Sequence, residues 1–349
     1  MEPNRIEWAR TDFSKHTVDL AEIQSGGPPK DGIPAIDRPR FVTVRAAREW
    51  LKPKEPVIVL RIGTRARAYP IQILMYHEIV NDSLAGIPVA VTFCPLCNAS
   101  MVFDRRVAGT ALDFGTTGKL RYSDLVMYDR QTESWWQQFS GKGIVGHYAG
   151  TALKRLPSEI VAFGDFAASF PSGEVLSRAT GFSRPYGRNP YAGYDRIDQS
   201  PFLFTGKTDS RLPPMERVLS VSVGGKHRLY PLSVLERHPL ANEELGGVPY
   251  VVMGKPGMAS PLDSGRIAEG REIVAATAYD RRLDGTVLEF SQRGNCIVDT
   301  RTGSEWNILG EAISGPLKGR RLAPLDSGVH FAFAWLAFNP DSEIVRSLR

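Results

Sequence analysis

The sequence is poor in groups that bind soft metals or staple a fold: 349 residues contain three cysteines and six histidines. Three thiols cannot build a disulfide framework. Cys94 and Cys97 lie three apart and Cys296 is remote, a pattern that fits a metal or redox pair plus one lone thiol. The chain also lacks any run of the roughly 18–20 apolar residues needed to cross a bilayer. Its start, Met1-Glu2-Pro3-Asn4-Arg5, is polar and carries no secretory apolar segment. As it stands the sequence reads as cytoplasmic, or as exported where a leader has been removed. Basic runs are missing too. The net charge of +5 is the small excess of 43 basic over 38 acidic residues, scattered in pairs such as Arg105-Arg106 and Arg320-Arg321. A phosphate-tracking groove needs clustering on one face, so no nucleic-acid partner is expected. There is no Gly-x-Ser-x-Gly elbow, no His-Glu-x-x-His, and no phosphate-binding glycine loop that would signal a nucleotide cofactor.

What remains is the composition of a globular protein, 42% hydrophobic and 23% charged, long enough for one large or two ordinary domains. Residues 1–40 read as an extended arm punctuated by Gly26-Gly27-Pro28-Pro29 and Asp31-Gly32. Thr43 is placed to cap a short helix over 44–51 that stops at Pro53. From there the chain resembles itself. Tyr69-Pro70 and Tyr230-Pro231 are 161 positions apart, and so are Gly86-Ile87-Pro88 and Gly247-Val248-Pro249. The likeness continues from Asp129-Arg130-Gln131-Thr132-Glu133-Ser134-Trp135-Trp136 to Asp299-Thr300-Arg301-Thr302-Gly303-Ser304-Glu305-Trp306. Each copy closes on an aromatic amphipathic helix, from Phe163 to Pro171 and from Phe331 to Pro340.

This pattern predicts two homologous lobes from an internal duplication: lobe A over 41–176 and lobe B over 214–349. A Tyr/Gly/Pro-rich connector over 177–213 joins them. Short apolar or alternating runs at 57–62, 67–69, 89–93, 112–114 and 125–128 predict strands. Helices are expected at 71–77 and 232–237, after the Tyr-Pro pairs. The fold class is mixed β or α+β, and β-rich.

The lobes differ where chemistry would sit. With the 161 offset, Cys94-Pro95-Leu96-Cys97 falls on Lys255-Pro256-Gly257-Met258, and Glu78 falls on Pro239. Lobe A also carries six extra residues between Phe114 and Asp129, compared with Phe290 to Asp299. A Cys-x-x-Cys pair brings two thiolates to one ion, and His77 is a candidate third ligand. Zinc would accept that set with an open fourth position. Cu(I) would accept it with a thioether from Met127. Copper is preferred on the strength of that thioether. Glu78, Tyr128, Asp124 and Arg130 are the candidate catalytic and positioning groups. Ser123, Trp135, Arg184, Tyr191 and His147 are candidates to line a substrate pocket at the lobe junction. For most of these a plain structural role is the competing account: tryptophans in a core, tyrosines over a junction, charges in solvent.

Several of these stretches together resemble the bacterial family known as domain of unknown function 3179. The likeness rests on Ala68-Tyr69-Pro70-Ile71, Tyr76-His77-Glu78-Ile79-Val80-Asn81-Asp82 and Val91-Thr92-Phe93-Cys94-Pro95-Leu96-Cys97. It continues through Ser123 to Ser134, Thr180-Gly181-Phe182-Ser183-Arg184 and Pro190-Tyr191-Ala192-Gly193-Tyr194-Asp195. It implies export for many members and assigns no reaction. The family's Gly-Pro-Leu-x-Gly segment is Gly146-His147-Tyr148-Ala149-Gly150 here, so His147 is peculiar to this chain, whereas Gly315-Pro316-Leu317-Lys318-Gly319 keeps the pattern.

The resulting expectation is a metal-dependent enzyme, an oxidoreductase acting on a small organic substrate through one copper or zinc ion. Two rivals stand beside it. One is a metal carrier or thiol–disulfide protein without turnover. The other is a non-metal enzyme or binding module with its pocket at the junction. Oligomeric state is not readable.

Overall fold

In the computed structural model, which describes residues 6–348, strands take 43% of the chain and helices 10%. The reason is local. Val57-Ile58-Val59-Leu60 is an aliphatic, mostly β-branched run whose residues are all buried, within strand Pro56–Ile62. Successive side chains of a strand point to opposite faces. Ile58 and Leu60 therefore enter the main core with Phe93 and Val80, while Val57 and Val59 enter a second core with Phe163 and Tyr279. A strand covered on both faces is apolar throughout and needs no alternation.

The first half of the chain forms three main sheets beside a small two-stranded one, Arg106–Val107 with Thr110–Ala111. In the first, Pro56–Ile62 pairs antiparallel with Arg65–Pro70 and with Glu159–Ala162, and Glu174–Leu176 runs parallel to Arg65–Pro70. In the second, Ile79–Leu84, Ile87–Cys94 and Ala99–Asp104 form an antiparallel meander. The third has Phe114–Arg121, Asp124–Asp129, Trp135–Gln137 and Lys142–Val145 in order.

The second half repeats this order of pairings. Arg217–Val223 lies between Asp326–Phe331 and Lys226–Pro231, with Glu343–Ile344 parallel to the latter. Leu240–Leu245, Val248–Ala259 and Glu272–Asp280 form a meander. Phe290–Arg293, Cys296–Asp299 and Glu305–Trp306 form a third sheet.

Three details differ from the sequence expectation. The regular helices are shorter: Val44–Ala47, capped by the Thr43 hydroxyl, then Ile71–Leu74 and Leu232–Leu235, each running out in turns. Leu112 precedes its strand, which starts at Phe114, because the Leu112 N–H donates to the Arg105 carbonyl (2.8 Å). The arm contributes an edge strand, Ile23–Ser25, against Phe114–Arg121, and it buries Trp8 against Tyr128 and Trp135.

The two halves do not keep separate interiors. The main core joins Phe93 and Met101 to Phe331 and Trp335, and strand Ala99–Asp104 packs on Asp326–Phe331. The intervening segment is clamped by Asp195. This buried carboxylate ion-pairs with Arg217 and Arg271 at 2.8 Å each and accepts from the Ser260 hydroxyl. Among the described residues no helix is long and apolar enough to cross a membrane.

Candidate functional site

Strand Ile87–Cys94 ends on the first cysteine of the pair, and strand Ala99–Asp104 begins two residues after the second, with Cys94 facing Ala99 in register. Pro95, Leu96 and Cys97 make one tight 3₁₀ turn between them. It closes on Asn98, a left-handed residue at φ 48° whose N–H returns to the Pro95 carbonyl. Proline at the first position and asparagine at the left-handed cap are the residues that geometry favours. The turn folds both thiols to the same side, and both cysteines are free and buried.

The third acid arrives from another sheet. Phe114–Arg121 and Asp124–Asp129 form a hairpin paired to its last rung, Arg121 with Asp124. Tyr122 (φ 53°) and Ser123 (φ 69°) are the two turn residues, both left-handed. A two-residue turn of this kind normally uses Asn-Gly, so Tyr122 and Ser123 hold it against a steric preference. The connector braces it: the Ser123 hydroxyl donates to the Phe202 carbonyl, and the Cys94 thiol donates weakly to the Ser123 carbonyl (3.7 Å). One atom each from Cys94, Cys97 and Asp124 lies within 4.8 Å of the others, and all three residues are buried.

Asp124 Oδ2 accepts from the Gln137 side-chain amide (2.5 Å) and the Phe139 N–H (2.9 Å), while its Oδ1 is buried without a hydrogen-bond partner. Burial raises the Asp124 carboxyl to about 7 in spite of those donors. Burial, and then the charge of Asp124, raise Glu78 to about 8. The Cys97 thiol is pushed well up by burial, then by Cys94 and Asp124. Glu78 is itself left-handed (φ 56°) and buried, so three of the residues shaping this pocket sit in a conformation that L side chains rarely adopt: Glu78, Asn98 and Ser123. Such residues collect where surrounding structure over-determines them.

The connector covers the cluster. The Tyr194 hydroxyl donates to the Leu96 carbonyl (3.0 Å) inside the cysteine turn and accepts from the Phe202 N–H. Tyr191 is close enough to Glu78 and Cys94 for their charges to raise its hydroxyl further, beyond the effect of burial.

The structure thus brings together Cys94, Cys97, Asp124, Glu78, Ser123 and Tyr191. The other candidates lie elsewhere. His77 is outside the group, with both ring nitrogens engaged: Nδ1 with the Pro34 carbonyl at 2.7 Å and Nε2 with the Tyr186 hydroxyl at 2.6 Å. Met127 is in register with Thr116 and Trp136, three residues and roughly 10 Å along the strand from Asp124. Tyr128 donates to Asp31, and Arg130 ion-pairs with Asp31 (3.2 Å) and Asp37 (3.3 Å), so these two fasten the arm. Trp135 packs on Trp8 and Phe13. Arg184 is exposed on the connector. His147 is exposed beside Tyr148. Sequence reasoning missed Tyr194 and Gln137. Tyr194 had a visible signal, lying three residues after Tyr191 in the same motif. Gln137 had none, since its role depends on the register of Trp135–Gln137 against Asp124–Asp129.

A family model described as "Protein of unknown function (DUF3179)" matches residues 30–342. The chain belongs to this family. The match spans both halves and every residue of the cluster, so the pocket lies inside the DUF3179 unit. No curated protein and no solved structure matches the chain. The DUF3179 description assigns no activity.

Proposed function

We propose that the protein is a metalloenzyme that holds one divalent ion, zinc in preference to copper, through Cys94, Cys97 and Asp124, and acts on a small organic molecule. The observation that carries this reading is a buried set of acids with no ion pair to a cation among the described residues. Two thiols and a carboxylate lie within 4.8 Å of one another, and the Asp124 Oδ1 has no partner. Glu78 beside them meets the like charge of Asp124. Donor atoms of a tetrahedral zinc site lie roughly 3.3–3.8 Å apart, given Zn–S of about 2.3 Å and Zn–O of about 2.0–2.2 Å. A contraction of about an ångström would therefore close the group on an ion. One dication offsets the burial of two thiolates and a carboxylate, which would otherwise have to remain protonated.

Preference for copper rested on a thioether from Met127 beside two sulfurs and an imidazole. A carboxylate as third donor is harder and favours zinc. The reaction class moves with it, from oxygen or electron chemistry to Lewis-acid activation of a bound group. Three protein donors leave a fourth position for water or substrate. Glu78, buried next to Asp124, is the titratable group placed to carry a proton there. The thiol–disulfide alternative is disfavoured because a reactive thiol is exposed with a lowered pKa, whereas Cys97 is buried with a raised one.

We also read the halves as copies of one unit, lobe A over 41–176 and lobe B over 214–349. Matched brackets support this. Asn81 exchanges two hydrogen bonds with the Phe114 backbone (2.8 and 2.9 Å), and Asn242 does the same with Phe290. Asp129 accepts from Thr132 and the Trp136 indole, as Asp299 does from Thr302 and Trp306. The donors belong to lobe A alone. The lobe-B hairpin stops at Arg293 with Cys296, short of the rungs that carry Asp124.

Metal analysis tests the reading. Protein purified without a chelating tag should carry close to one zinc per chain by inductively coupled plasma mass spectrometry, and Cys94→Ser with Cys97→Ser should lose it. Metal-free protein that also refuses added Zn(II) and Cu(I) would overturn it.

A further inference from the structure

A cavity of about 660 Å³ opens in the second half, between the end of helix Leu232–Leu235, strand Val248–Ala259 and the hairpin that carries Cys296. Its volume is that of a small-molecule site. Val274, Trp306 and Ile308 give it a buried apolar floor, and Ile297 adds a half-buried wall. Arg237 and Lys255 stand at its edge. Lys255 is taken by an ion pair with Asp165, whereas the exposed Arg237 has no ion pair among the described residues. Two acids also line the space. Glu305 lies against the Cys296 thiol, and Glu236 adjoins Arg237 at the helix end.

With the 161 offset, Lys255 stands where the first half has Cys94, and Pro239 stands where it has Glu78. The hairpin is six residues shorter than its first-half counterpart, and the cavity lies beside it. A thiol position becomes Lys255, which Asp165 occupies, and the lining cation without an ion pair among the described residues is Arg237.

We propose that this cavity is a second binding site, for a small amphipathic organic anion. The apolar or aromatic body lies on Val274, Ile297 and Trp306, and the carboxylate or sulfonate pairs with Arg237. The inference rests on the repeated order of the halves and not on the metal proposal, and the two fail separately.

The probe is 8-anilinonaphthalene-1-sulfonate, an aromatic anion whose fluorescence rises in apolar surroundings. Titration of the full chain should saturate at one site. Arg237→Glu, at an exposed position, should weaken binding at least tenfold, and Cys94→Ser with Cys97→Ser should leave it unchanged. Cys296 supplies a second readout in the unmodified protein. It is the one cysteine of the three that is not buried, and it lines the cavity. Saturating probe should slow its alkylation by iodoacetamide at least fivefold, as measured by peptide mass spectrometry. Absence of saturable binding, indifference to Arg237→Glu, or unprotected alkylation would each overturn the proposal.

Discussion

At Glu78 the backbone enters the left-handed region, and that single φ of 56° separates two neighbouring side chains. His77 turns to the Pro34 carbonyl and Tyr186, while Glu78 turns to Asp124. Adjacency to the cysteines in sequence made His77 look like a ligand. The reversal at the next residue, which no local composition announces for a glutamate, sends it to the connector instead. Replacement of His77 by alanine should cost about 1–3 kcal/mol, through a buried cavity and a Pro34 carbonyl left without its imidazole partner. It should leave metal stoichiometry intact, as thermal denaturation beside metal analysis would check. Asp124→Asn keeps an acceptor for Gln137 and the Phe139 N–H but removes the anion. Zinc affinity, measured by competition with a chromogenic chelator, should fall by about 100-fold or more, the upper range for losing even an outer partner of a metal site. Unchanged affinity would remove Asp124 from the donor set.

At the scale of elements, the pocket is the meeting of two tight turns from different sheets. The convergence of Cys94 and Cys97 was legible from their Cys-x-x-Cys spacing, whereas the 3₁₀ turn that produces it was not. The six-residue excess of the first-half hairpin was legible as a difference. Its consequence was not, since Cys94 and Asp124 are 30 positions apart and meet only through the register of two separate antiparallel pairs. The same limitation misplaced Tyr128 and Arg130, which the register turns to Asp31 and the arm. The strands themselves were readable from Val57-Ile58-Val59-Leu60 and its kin, because full burial on both faces demands such runs. The left-handed Asn98 links the turn to its return strand. Asn98→Ala should destabilise the protein by about 1–2 kcal/mol, the penalty for an L residue without a local polar group in that conformation. It should also weaken zinc binding by loosening Cys97 against Cys94. Urea denaturation and the same chelator competition would report both effects.

For the whole molecule, the connector is what seals the pocket, and Asp195 is what holds the connector. Burial alone would raise the Asp195 carboxyl, but the charges of Arg217 and Arg271 prevail and keep it below the ordinary value of 3.8. A carboxyl lowered on folding contributes stability above its unfolded pKa and loses it as pH falls through the folded one. Asp195→Asn should therefore cost about 3–5 kcal/mol at pH 7, where it strands the buried Arg217. The gap from wild type should close as pH drops below 3.8, as paired urea titrations would show.

X-ray absorption at the zinc edge of the loaded protein reads the donor set directly. Two sulfurs at about 2.3 Å with oxygen at about 2.0–2.2 Å and no imidazole scattering are expected, with the sulfur shell lost in Cys94→Ser with Cys97→Ser. A spectrum with histidine in the shell, or without sulfur, would contradict it.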